Sequence, residues 1–93
     1  MQTLSETAGE FVARLRRFER EMVQSAAFFL ATGIDLAEAL AATGEARHRI
    51  VLRVERLCER ERQKGQRRHW SYDLDRHIAL GEVLARLRAA RAA

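Results

Sequence analysis

The chain has 93 residues, with no proline, five glycines and one cysteine, a composition that favours helices and excludes an intrachain disulfide. Hydrophobic residues make up 47% and charged residues 32%, a globular balance that excludes a disordered chain. The net charge is +4, and sixteen of the seventeen basic residues are arginine, Lys64 being the one lysine.

The first predicted helix runs from about Ala8 to Thr32. Thr7 and Glu10 form a T-x-x-E capping box, in which each side chain satisfies a backbone N–H that the first turn leaves open. Phe11, Leu15, Phe18, Met22 and Phe29 then recur at alternating steps of four and three, with Ser25 filling the missing step, as one helix face requires. Val12, Ala26 and Leu30 widen the stripe, and Gly33 is placed to take the left-handed conformation that closes a helix. The second segment, Leu36 to about Ala42, starts at a D-x-x-E pair, Asp35 and Glu38. Leu36, Ala37, Leu40 and Ala41 share a face, and Gly44 is expected to end it. The third runs from about Glu45 to Lys64, with Ala46, Ile50, Val54, Leu57 and Cys58 as its apolar face and Gly65 as its stop. Residues 65–71 form a loop. The fourth helix runs from about Tyr72 to Arg88, capped by Ser71 or Asp73, with Leu80, Val83, Leu84 and Leu87 as its stripe. Residues 1–7 and 89–93 are expected to fray.

These elements make a single all-α domain, residues 1–93, of three to four helices. The expected architecture is a helical hairpin or small bundle. The stripes of the first and third segments are long, so self-association into a homo-oligomer is expected to complete the core. The longest uncharged run, the thirteen residues between Glu21 and Asp35, is shorter than the roughly 20 that cross a bilayer, and the first six residues lack the features of a signal peptide. A cytoplasmic protein with no membrane partner is expected.

Charge is distributed unevenly. Residues 1–46 carry −3, residues 47–68 carry +6 and residues 69–93 carry +1. At about 100° per residue, Arg49, Arg53, Arg56, Arg60 and Lys64 fall within roughly 80° of one another. They form a basic ridge that Arg47, Arg67 and Arg68 extend. Such a ridge can track a phosphate backbone, with counterion release driving association. Glu55, Glu59 and Glu61 lie close enough to offset part of it, the arrangement of an ordinary solvated face. The loop Arg67-Arg68-His69-Trp70-Ser71-Tyr72 mixes cations with two aromatics, a combination suited to stacking on bases, although a single tryptophan more commonly anchors a small core. The order of a short helix, a glycine turn and an Arg-bearing helix over residues 36–47 suggests a helix-turn-helix, but Arg47 then falls where an apolar residue is expected.

Catalytic chemistry is not legible. There is no phosphate-binding glycine loop, nucleophile elbow or H-E-x-x-H, and no cofactor is implied. His69, Asp73 and His77 would align only if one helix contained all three; a helix starting after His69 breaks the set, so no metal site is expected. His77 is expected to pair with Asp73, and Cys58 to be a buried small hydrophobe.

The helix order and the basic ridge resemble the helical-hairpin core of phage-type small terminase subunits, which are oligomeric DNA-packaging proteins, and equally several small bacterial regulators. The resemblance is one of plan, and no residue is carried across. The expected function is thus a non-enzymatic, oligomeric nucleic-acid-binding protein, with DNA favoured over RNA. In it Arg49, Arg53, Arg56, Arg60 and Lys64 neutralise phosphates, while Arg67, Arg68 and Trp70 clamp or stack. The alternative is an adaptor or anti-regulator whose apolar stripe binds a partner protein.

Overall fold

The computed structural model describes residues 5–92, with side chains through residue 90. Four helices follow in order: α1 (Ala8–Thr32), α2 (Leu36–Ala41), α3 (Gly44–Gln66) and α4 (Leu74–Ala92), with no strand among the described residues.

Local capping fixes most of the boundaries. The Thr7 side chain accepts the Glu10 N–H at 3.1 Å, and Gly33 closes α1 with a φ of 74°. Asp35 accepts the Glu38 N–H at 3.0 Å and so starts α2. Asp73, rather than Ser71, caps α4, accepting the Arg76 N–H at 3.1 Å. Two glycines act differently from expectation. Gly44 does not close α2, which ends at Ala41; with a φ of 59° it opens α3. Gly65 does not stop α3, which continues to Gln66. Its role is steric: a Cβ there would lie 3.2 Å from the Tyr72 ring carbons Cε2 and Cζ. The turn is made instead by Arg68, at a φ of 52°.

Of the two ends expected to fray, residues 1–4 and 93 lie outside the described residues. Thr7 caps α1, Glu6 accepts two hydrogen bonds from Arg14 at 3.1 Å, and α4 remains helical through residue 92.

The core lies on α4. Ala79, Leu80, Val83, Leu84 and Leu87 are all buried, and on a helical wheel they cover an arc wide enough to serve two neighbours. α3 packs on one side of α4 through Val51 and Val54, and α1 on the other through Phe28; α2 bridges α1 and α4 through Leu36 and Ala39. Polar clasps flank both contacts. Arg86 donates to the Glu21 carboxylate at 3.0 Å, Gln24 donates to Glu82 at 3.2 Å, and Arg88 pairs with Glu55 at 2.9 Å.

The expected faces of α2 and α3 hold in part. In α2 Leu36 is buried and Leu40 packs on the core as expected, but Ala39 is buried in place of Ala37 and Ala41, which are exposed. In α3 Ile50, Val54, Leu57 and Cys58 face the core as expected and Val51 joins them, while Ala46 is exposed and Cys58 is only half-buried. The largest difference is in α1. Phe28 is fully buried, whereas Phe11, Leu15, Phe18, Met22 and Phe29 are all exposed, Phe18 at 63%. The expected stripe lies about 120° around the helix from the face that packs on α4.

The molecule is accordingly extended. Its radius of gyration is 16.1 Å, where a compact domain of this length has about 12 Å.

One glycine offers a test of this description. Gly81 lies inside α4 with nothing within 4 Å of a built Cβ. Gly81→Ala is therefore expected to stabilise the protein by about 0.5–1 kcal/mol, by removing backbone freedom from the unfolded chain. Gly65→Ala is expected to gain less, because its methyl group meets the Tyr72 ring. Thermal melts followed by circular dichroism compare the two, and a Gly81→Ala melt no higher than wild type contradicts the open surroundings of that position.

Candidate nucleic-acid interface

The helical register of α3 places Arg49, Arg53, Arg56 and Arg60 along one outer strip, and all four are exposed. At about 1.5 Å of rise per residue the strip is roughly 16 Å long. Its members are not equally free. Arg56 and Arg60 join no ion pair among the described residues. Arg49 stands 4.0 Å from Glu45, at the limit of pairing. Arg53 donates from Nη2 to the Thr32 carbonyl at 3.0 Å, closing the C-terminus of α1.

Two cations assigned to the ridge serve the fold. Lys64 is drawn to Glu61, with Nζ 3.4 Å from Oε1, and its side chain is largely covered. Arg47 is half-buried, and its guanidinium donates to the Ala42 carbonyl at 3.3 Å and to the Leu87 carbonyl. This ties the start of α3 to α4. α2 packs chiefly on α1 and α4 rather than on α3, whereas the two helices of a helix-turn-helix pack on each other, so the structure does not support that reading.

The turn after α3 carries the rest of the candidate surface. Arg67 and Arg68 are exposed. Trp70 is 89% exposed and stacks on His69, with ring centroids 5.6 Å apart. The anchoring that a single tryptophan could have supplied falls instead to the half-buried Tyr72: its ring covers Gly65, and its hydroxyl is 2.8 Å from His77 Nδ1. His77 takes this partner in place of the Asp73 side chain. The turn is held by backbone bonds, the His69 N–H to the Lys64 carbonyl at 2.9 Å and the Tyr72 N–H to the His69 carbonyl at 3.0 Å. His69 Nδ1 accepts the Ser71 N–H at 3.1 Å.

Beneath the strip lies a buried carboxylate. Glu61 is 3% exposed and accepts from Arg76 at 2.9 Å, from Lys64 at 3.4 Å and from the Asp73 N–H at 3.3 Å. Burial by itself would raise its pKa; the three donors outweigh that and hold the carboxyl below its ordinary range. Glu61 thus joins α3, the turn and α4 at one point.

Two other concavities are less suited to a polyanion. A groove of about 1050 Å³ between α1 and α4 has Val23, Ala27, Leu30 and Ile78 on its floor. Its rim holds Arg16, Arg17, Arg20 and Arg86 against Glu19, Glu21, Asp75 and Glu82, so the charges balance. A hollow of about 310 Å³ beside Cys58 is flanked by Glu55, Glu59, Arg62 and Arg88. Burial, then the Glu59 charge, pushes the Cys58 thiol up against the weaker pull of Arg88, so at neutral pH the group is a thiol, not a nucleophilic thiolate. Among the described residues no three His, Cys, Asp or Glu side chains come together as a metal site, and no helix is long and apolar enough to cross a membrane.

Comparison of the chain with protein-family models, with curated proteins and with solved structures finds no match.

Proposed function

We propose that the chain binds the phosphate backbone of a nucleic acid, preferentially DNA, along the outer strip of α3, with the Arg67–Trp70 turn as a stacking end. The observation that supports this is the unpaired state of Arg56 and Arg60, on the same strip as Arg49 and leading to a tryptophan that is almost wholly in water. Apart from its stack on His69, a side chain with so much apolar area adds little to the core where it stands, and it is suited to a base or another flat ring.

Arg49, Arg56, Arg60, Arg67 and Arg68 are the cations that remain available. Five phosphate contacts give a salt slope of about −4.5, so affinity should fall roughly 500-fold between about 50 and 200 mM salt. Arg56→Glu combined with Arg60→Glu tests the strip without breaking the Arg53–Thr32 bond. Fluorescence anisotropy with a labelled duplex should show a loss of roughly 30-fold or more at low salt, with helicity unchanged. Binding equal to wild type in that variant, or indifferent to salt, would sink the reading.

A second reading, a protein-binding adaptor, is favoured by one observation: the uncovered apolar stripe of α1. In that case Phe11, Phe18, Met22 and Phe29 carry the contact, and partner binding changes little with salt.

A further inference from the structure

The apolar stripe on α1 has an internal symmetry. Phe11, Leu15, Phe18 and Met22 are spaced four, three and four residues apart, a sequence of steps that reads the same in both directions. An antiparallel two-fold helix pair can use this property, because positions equidistant from the axis lie opposite one another and both are then apolar. We infer that this stripe is closed by α1 of a second copy of the chain, running antiparallel about a two-fold axis level with Arg16 and Arg17. Phe11 of one copy then lies opposite Met22 of the other, and Leu15 opposite Phe18, each pair formed twice.

The charges on the flank agree with this register. Arg14 and Glu21 sit on the same edge of the stripe and are related by nearly the same centre. In the antiparallel pair, where the same edges of the two helices meet, Arg14 of each copy comes to Glu21 of the other, so the flank is complementary to itself. Both groups stay at the surface, where Arg14 also bonds Glu6 and lies over the Phe11 ring at 5.1 Å, and Glu21 bonds Arg86. The pairing extends these clasps without burying a lone charge.

The area is also of the right order. One copy exposes 7000 Å², where a compact monomer of 10.7 kDa exposes about 5,500 Å². That excess is spread over the whole elongated molecule, and it leaves room for the roughly 800 Å² per partner that a standard interface covers. The stripe lies about 120° from the Phe28 face, so a second α1 docks without displacing α4. A membrane surface fits less well, since lipid-binding helices flank their apolar face with Lys and Arg, and this stripe is bordered by Arg14, Glu19 and Glu21. The inference stands independently of nucleic-acid binding, which uses α3.

The test is the solution mass by light scattering across micromolar concentrations. The expected mass is twice 10.7 kDa. Phe18→Glu should return it to the monomer with helicity retained, since Phe18 contributes nothing to the core. In a Cys58→Ser background, a mixture of Phe11→Cys and Met22→Cys chains should form a disulfide-linked dimer, while Phe11→Cys chains alone should not. A monomer at every concentration overturns the inference and leaves the stripe to a different protein. A dimer that survives Phe18→Glu, an assembly larger than two, or cross-linking of Phe11→Cys to itself overturns the face, the symmetry or the direction proposed.

Discussion

Phe28→Ala is expected to destabilise the protein by about 3–5 kcal/mol, the cost of emptying a fully buried aromatic site whose surroundings close only in part. Phe28 is 0% exposed and is the one large apolar side chain through which α1 reaches the core on α4. A domain of this size has about 5–15 kcal/mol of total stability, so the loss is a large share of it. The neighbouring substitution supplies the contrast. Phe29 is exposed in the isolated chain, and Phe29→Ala is expected to change stability by only about 0.5 kcal/mol. Urea unfolding of both variants measures the difference. Comparable losses would mean that α1 does not pack through the face described, and the account of the uncovered stripe would fall with it.

Glu61→Ala is expected to cost about 1–3 kcal/mol near neutral pH, because it leaves Arg76, Lys64 and the Asp73 N–H without their common acceptor. The lower part of that range reflects the partial exposure of both cations, which water solvates once the carboxylate is gone. The pH dependence carries a definite sign. The folded carboxyl titrates below the ordinary value of 4.5, because its donors outweigh the effect of burial. A lowered folded-state pKa gives stability that is fully present above the unfolded value and is lost as pH falls through the folded one. The gap between wild type and Glu61→Ala should therefore be widest above about pH 5.5 and shrink steadily in acid. A gap that stays constant from neutral pH to about pH 3 would show that the carboxylate's charge contributes nothing and only its packing matters.

The parts of this fold legible in the sequence are those that local chemistry decides. Thr7, Gly33 and Asp35 announce their helix ends because each works within its own turn of backbone. The α4 stripe is legible because Leu80, Val83, Leu84 and Leu87 cluster on one face and outweigh Leu74 and Ile78 on another. Phe28 and Phe29 mark where such reading stops. Periodicity selects the face with the most apolar residues, and in α1 that is the face left uncovered, while a single phenylalanine beside Gln24 and Thr32 makes the core contact. Gly65 carries the composition of a helix stop, but its φ is ordinary and its smallness answers to Tyr72, seven residues on.

The candidate interface divides in the same way. A helical wheel places Arg53 and Lys64 on the strip correctly in angle, yet angle does not reveal the Thr32 carbonyl or the Glu61 carboxylate that hold them. Arg47 is the sharpest case. Its misfit with the helix-turn-helix pattern pointed inward, and it is in fact half-buried against Ala42 and Leu87. Tyr72 rather than Trp70 takes the anchoring place, because its hydroxyl meets His77 in the first turn of α4 while its ring covers Gly65 near the end of α3.

The position of α4 bears on how the chain comes off the ribosome. The helix on which both α1 and α3 lean is the last of the four to be made, so Phe28, Val51 and Val54 have nothing to close on until it emerges. At roughly 5–20 residues per second, the stretch from the end of α3 to the end of α4 takes on the order of 1–5 seconds to synthesise. For that interval the nascent chain presents apolar helices without their common partner, and its folding is set by translation rather than by the speed at which a small helical domain can collapse.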